Sequence, residues 1–220
     1  MSMVAPSLEF VKTAMTEGSD SSAASGADIV TSRIDQIADA ALRLFARYGY
    51  KRSSMDDIAK EAGLSKATLY FHFKGKDDIF RTMMKLLAKR VDSRCREVMA
   101  MDAPFGARLS ALLQAHYGQA YASFGTGEHL VELKTVMTSI AGTELQAFDR
   151  LFLRYAKSLY EAADAAGEIS LTASKVNIDE IVASLMFAAA GAKLCDPPSN
   201  ETYAARLKTI ASIFTEAVKK

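Results

Sequence analysis

Between Ser53 and Lys76 the chain gathers side chains suited to a polyanion rather than to catalysis. Lys66, Thr68, Tyr70 and His72 fall around one short helical segment and offer donors, acceptors and flat rings to phosphates and base edges. The local charge agrees. From Arg43 to Lys76 there are eight Lys/Arg (Arg43, Arg47, Lys51, Arg52, Lys60, Lys66, Lys74, Lys76) against three acids (Asp56, Asp57, Glu61), although the 220-residue chain as a whole carries only +1. Taken alone, Tyr70 and His72 would read as packing residues at a helix end; the spacing around them outweighs that reading.

Residues for catalysis are missing by the same test. There is no Gly-rich phosphate loop, no His/Cys/Asp metal set and no nucleophile–base pair at a recognisable spacing. The three histidines are scattered. Cys95 and Cys195 stand a hundred residues apart with neither metal-ligand spacing nor a disulfide framework, and Cys95, despite Arg90, Arg94 and Arg96 nearby, reads as an ordinary core or surface thiol. The chain is therefore not read as an enzyme, and no metal or cofactor is expected.

The elements that must position the polyanion-facing residues follow from local signals. Ser54 caps a short helix through Ala62, with Asp57 at the positive end of its dipole. Gly63 supplies a left-handed turn, and Ser65 caps a second short helix over Lys66–Phe71. Ile58, Ala59, Leu64, Leu69 and Phe73 fall where two crossing helices meet, which is the spacing of a helix-turn-helix with Lys66–Phe71 as recognition helix. Ahead of it, Ile34, Ile37, Ala38, Ala41, Leu44, Phe45 and Tyr48 form the stripe of a first helix, capped by Thr31 or Ser32 and ended by Gly49. Beyond it, amphipathic helices are expected at about 77–101, 105–123, 127–140, 143–166, 178–193 and 201–218, with no strand alternation anywhere. The fold class is all-α, about nine helices in total. Residues 1–27 offer no periodic apolar face and read as a disordered tail. No apolar run is long enough for a bilayer and no signal-peptide core opens the chain, so a cytoplasmic protein without a membrane partner is expected.

Phe45-Ala46-Arg47-Tyr48-Gly49-Tyr50, then Ser53 to Ala59, Ala62-Gly63-Leu64-Ser65 and Leu69-Tyr70-Phe71-His72-Phe73-Lys74-Gly75-Lys76 together resemble the TetR family signature over about residues 31–80. Beyond residue 80 the resemblance is one of architecture. It implies a DNA-binding domain at 28–76, with its helix-turn-helix at about 54–73, and an effector-binding and dimerisation domain at 77–220. It also implies that Ser53 and Ser54, where the family more often has Thr, touch phosphates. Lys66, Ala67 and Thr68 would face bases, Tyr70, His72 and Lys76 would grip phosphates, and Phe71 belongs to the same DNA-facing set. Ala67 stands where most members carry Gly or Pro.

The same resemblance implies a homodimeric repressor released from a palindromic operator by a small apolar or amphipathic ligand. An activator of the same family and an architectural DNA-binding protein without effector remain alternatives. Candidate ligand contacts are Met84, Leu87, Leu113, His116, Tyr117, Met137, Phe148, Phe152 and Tyr155, of which His116, Tyr117 and Tyr155 would supply polar atoms; each also reads as plain core. Ile181, Leu185, Tyr203, Leu207, Ile210 and Phe214 are the candidate dimer contacts, or else cover the monomer's own core.

Overall fold

The computed structural model describes residues 26–124, 129–174, 177–193 and 198–220. The expected tail thus lies almost wholly outside the described residues. Among the described residues nine helices follow in order: α1 (Gly26–Tyr48), α2 (Met55–Glu61), α3 (Lys66–His72), α4 (Lys76–Met99), α5, α6 (Leu130–Ile140), α7 (Gly142–Ala165), α8 (Ile178–Gly191) and α9 (Asn200–Glu216). A single further turn, Leu171–Ser174, precedes α8. Helix α5 is composite, running Phe105–Leu113, then through a π-helical stretch at Gln114–Gly118, then Gln119–Ser123. No strand occurs among the described residues.

Two local expectations change. Helix α1 begins at Gly26, so Thr31 and Ser32 lie inside it rather than capping it; nothing between them and Gly26 breaks a helix, and the cap preference yields. The π-helical stretch in α5 has no signature in the apolar periodicity. It widens one turn so that the consecutive residues Ala115, His116 and Tyr117 are all buried.

Helix α4 is the spine. Its stripe Ile79, Phe80, Met83, Met84, Leu87, Val91, Cys95 and Val98 is buried at three- and four-residue steps. Its first turns close the core of α1–α3, and the rest packs on α5, α6 and α7. Phe80 meets Phe45 and Tyr50 with ring centroids 5.8 and 5.5 Å apart, and Phe45 and Tyr50 are 5.2 Å apart. Rings at such distances contribute about 0.5–1.5 kcal/mol per pair beyond their burial. Arg90 clamps Asp39 of α1 through two bonds of 2.6 and 2.8 Å, fixing the angle between α4 and α1. Helices α7, α8 and α9 complete the bundle, α9 lying along α5 and α8 along α7.

Candidate DNA-binding surface and effector core

Helix α2 starts on a reciprocal cap. The Ser54 Oγ accepts from the Asp57 backbone N–H at 3.1 Å while the Asp57 carboxylate accepts from the Ser54 backbone N–H at 2.9 Å. The same Ser54 bonds hold the Asp57 carboxyl below its ordinary range. Gly63 takes the left-handed φ of +66° on which the turn depends, and the Leu64 N–H returns to the Ala59 carbonyl at 2.9 Å. Helix α3 is capped by Ser65, whose Oγ accepts from the Thr68 N–H at 3.0 Å. Leu69, fully buried, and Phe73 hold α3 against its neighbours.

What α3 leaves outside is Lys66, Ala67, Tyr70 and Phe71. Phe71 is 83% exposed and Tyr70 49%, large apolar surfaces for a solvated helix. The Lys66 ammonium lies 2.8 Å from Asp56 on the surface, which raises its pKa. Such an exposed pair is weak enough for a phosphate or base edge to displace. Thr68 is half-buried and hydrogen-bonded to Ser65 at 2.8 Å, and His72 is half-buried with its ring edge-on to Phe71 at 5.1 Å.

Two expected phosphate contacts are placed differently. Ser53 is 3% exposed and donates its hydroxyl to the Gly49 carbonyl at 2.7 Å; it closes the α1–α2 turn instead of facing outward. Lys76 turns inward: its ammonium donates to the carbonyls of Tyr50 and Ser53 at 2.7 and 2.9 Å and sits 4.2 Å from the Tyr50 ring centroid. Burial lowers the pKa of Lys76. The Tyr50 hydroxyl donates to Asp77 at the first turn of α4, and burial, then that bond, raises its pKa. The start of α4 is thereby stapled to the α1–α2 turn. Tyr50 and Asp77 were not singled out from sequence, although Tyr50 belongs to the signature.

A second strut reaches the DNA-binding domain from α6. The Glu132 carboxylate accepts the Lys51 backbone N–H at 2.7 Å and lies 3.8 Å from the His129 ring nitrogen. Gly49, at φ +82°, has no room for a Cβ against these two side chains. Arg81 of α4 donates to the Ile140 carbonyl at the other end of α6 at 2.9 Å. Helix α6 therefore grips both the α1–α2 turn and α4.

In the C-terminal half the structure brings together part of the expected ligand set. His116 is fully buried, its ring centroid 4.0 Å from Phe148, 4.6 Å from Tyr117 and 5.2 Å from Phe152, and Tyr117 meets Phe152 at 4.9 Å. Neither imidazole nitrogen has a hydrogen-bond partner, and neither does the Tyr117 hydroxyl. Burial, then Lys193, pushes the imidazole pKa down to about 3, and burial pushes the Tyr117 phenol up. Met84, Leu87 and Leu113 lie buried in the same continuous core, and Met137 packs against it from the side. Tyr155 departs from the expectation: its hydroxyl donates to Asp92 at 2.9 Å, inside an α4–α7 network with Arg96 and Arg154.

The expected dimer contacts also sort differently. Ile181, Leu185, Tyr203 and Leu207 are buried within their own chain, and the Tyr203 hydroxyl donates to the Ala189 carbonyl at 2.8 Å. Ile210 and Phe214 are half-buried against the same core. The reason is that the continuous stripes of Ile181, Val182, Leu185 and Ala189 in α8 and of Tyr203, Leu207 and Ala211 in α9 are what close the monomer's own core. On the outer side stand Phe187, 68% exposed, and Ile213, 61% exposed, neither of which the periodicity picked out. Cys95 is buried and its thiol is pushed up to about 12 by burial, an inert core residue. Among the described residues no group of His, Cys, Asp and Glu gathers to hold a metal, and no helix is long and apolar enough to cross a membrane.

The capped α2–turn–α3 unit with its outward α3 face defines a helix-turn-helix DNA-binding regulator. Residues 37–83 match the model of the bacterial regulatory proteins of the tetR family, so this segment is a TetR-type DNA-binding domain and the chain is similar to transcriptional regulators of that family. An uncharacterized HTH-type transcriptional regulator of Bacillus subtilis, YhgD, is 29% identical over 133 residues, 60% of this chain and 70% of the relative. The fatty acid metabolism regulator protein of the same organism is 31% identical over 100 residues, 46% of this chain and 49% of that protein. In solved structures the fold recurs in a TetR transcription regulator from Haloarcula marismortui (TM-score 0.70, 19% identity, 86% and 100% of the two chains). It recurs also in the regulator FadR from Bacillus subtilis in complex with stearoyl-CoA (TM-score 0.61, 18% identity, 84% and 98%).

Proposed function

We propose that this regulator is a homodimeric repressor that leaves a palindromic operator when a small apolar or amphipathic ligand occupies the core around His116. Residues 28–76 form its DNA-reading domain and 77–220 its effector and dimer domain. Support for operator binding comes from the outward face of α3. Lys66, Ala67 and Thr68 at its N-terminal end meet base edges, while Ser54, Tyr70, Phe71 and His72 meet the sugar-phosphate backbone. One chain presents one recognition helix, so a palindrome requires two chains. The outer faces of α8 and α9, with Phe187 and Ile213 raised above small neighbours, are the surface that pairs them.

Repression fits the relatives described as negative regulators: the IcaR regulators of staphylococcal biofilm operons are 43% identical over 47 to 51 residues. Release needs the two recognition helices to lose their spacing. Helix α4 is the lever, stapled to the α1–α2 turn by Lys76 and Tyr50 and packed on the His116 core at its other end. A ligand that favours one tilt of α4 shifts the population only as far as its affinities for the two tilts differ. The deciding experiment is a footprint on DNA upstream of the gene and its neighbours at graded salt. A protected palindrome whose occupancy falls with salt supports the reading; uniform coverage of all DNA, or activation of a reporter from the protected site, sinks the repressor.

A further inference from the structure

The reading of the His116 core as effector site leaves the effector's chemistry open, and the polar atoms there narrow it. A fully buried imidazole with both nitrogens unpartnered is rare, because each buried donor or acceptor left unmade costs free energy that water would have supplied. Here it occurs beside a second orphan, the Tyr117 hydroxyl, one ring contact away at 4.6 Å. The Lys193 ammonium, just past the end of α8, lies 5.9 Å from the Tyr117 ring centroid and is itself half-buried. Lys134 of α6 is close enough to act electrostatically on Lys193. Against these two cations stands one carboxylate, Asp149 of α7. The floor is aromatic: Phe148 and Phe152 cover the imidazole.

We propose that the effector is an acid on an apolar body, whose carboxylate accepts from the Tyr117 hydroxyl and the His116 N–H and pairs with Lys193, while its body replaces the Phe148 ring against the imidazole. The proposal rests on the ligand-released reading above. The His116 and Tyr117 rings touch, the Lys193 ammonium lies over the Tyr117 ring and acts electrostatically on His116, and among the described residues the local cations outnumber the anion, which selects an anionic acceptor over a cationic or neutral head. Seating the ligand displaces the Phe148 ring, exchanging a ring contact for hydrogen bonds that the His116 nitrogens and the Tyr117 hydroxyl lack in the resting core. The location links to both outputs. His116 and Tyr117 sit in the π-helical stretch of α5, whose Gln114 side chain donates to the Ala204 carbonyl of α9 at 2.8 Å and which packs on α4. Gly118 permits this approach, since a Cβ there would press on the Gln114 side chain and reach Leu207.

The test titrates the full chain by calorimetry with decanoate and palmitate, and with decanol and methyl palmitate as matched bodies lacking the acid. Acids are expected to bind at one site per chain and the uncharged analogues roughly tenfold more weakly or not at all. Lys193→Met and Tyr117→Phe should each weaken the acids roughly tenfold and leave decanol unchanged. His116→Phe should melt higher than the natural chain, because it removes the orphaned nitrogens, and lose acid binding. A merely structural histidine would instead melt lower on substitution and keep its ligands; Tyr117→Phe keeps the test open should that variant fail to fold. Equal binding of acids and uncharged analogues, or acid affinity untouched by Lys193→Met, overturns the proposal. If an uncharged amphiphile releases operator DNA where no acid binds, the acid falls while the released repressor stands. If acids bind but never release operator, the reverse holds.

Discussion

In the DNA-binding domain polar side chains are used up internally, Ser53 on Gly49, Lys76 on two carbonyls and Tyr50 on Asp77, and at the surface Ser54 and Asp57 on each other. Among the described residues there, one buried side-chain oxygen, of Asp35, is left without a partner. In the core of the C-terminal helices His116, Tyr117 and Tyr160 keep buried polar atoms unpartnered while their rings pack closely. A reader of DNA must hold one geometry against a fixed duplex, so its bonds are satisfied in the resting state. A sensor must change state for a modest binding energy, and unmet hydrogen bonds lower the cost of that change.

The comparison breaks first at Leu69. Leu69→Ala removes the fully buried anchor of α3, and a loss of about 2–5 kcal/mol is expected. Operator binding should vanish while helix content beyond residue 80 persists; circular dichroism with a mobility shift reads both.

The pH dependence sharpens the other side. In the unfolded chain the His116 imidazole titrates near its ordinary 6.5, and in the folded chain burial holds it at about 3. Between these values the unfolded chain binds the extra proton, so stability is complete above 6.5 and falls as pH drops through the window, by about 1.4 kcal/mol per pH unit. Urea midpoints of the natural chain and His116→Phe at about pH 7, 6 and 5 should diverge with falling pH. Parallel curves would mean that the imidazole finds a proton partner in the resting core.

Lys76→Met separates an internal staple from a phosphate contact. Its two carbonyl bonds predict a melting temperature lowered by the equivalent of about 1–3 kcal/mol and an unchanged salt slope of operator binding. A slope reduced by about one with stability intact would return Lys76 to the DNA. The smallest contrast is between two tyrosines. Tyr203→Phe should cost about 1 kcal/mol, because its hydroxyl serves the Ala189 carbonyl, whereas Tyr160→Phe should gain a similar amount, because its hydroxyl serves nothing. Denaturant midpoints of the two variants should move in opposite directions.

Local chemistry made the helix-turn-helix legible before any coordinates. Ser54 with Asp57, Gly63 and Ser65 each act within a few residues of themselves, so their caps and turn are written in adjacent letters. The apolar stripes likewise gave the helices beyond residue 77 to within a few residues, because a period of 3.6 is a property of one segment. Which stripe faces which neighbour is not such a property. Ile181, Leu185, Tyr203 and Leu207 read either as a partner surface or as the monomer's own core, and packing makes them the core, since a stripe shows that a helix has an apolar face but not what covers it.

The side-chain directions of long residues were hidden for the same reason. Lys76 reads as a surface cation until the Tyr50 and Ser53 carbonyls are placed beside it, and Lys193 as one more charge until the α8 end is set against Tyr117. The sequence alone determined that this chain is helical and carries Lys66, Thr68, Tyr70 and His72 on a capped helix, because capping, turning and periodicity are short-range, whereas packing decided that Thr68 and His72 are half-buried and Ala67 and Phe71 stand outside. Tertiary structure alone decided that His116 and Tyr117 are left without partners in an aromatic core, because an unmet hydrogen bond is defined by everything that surrounds it.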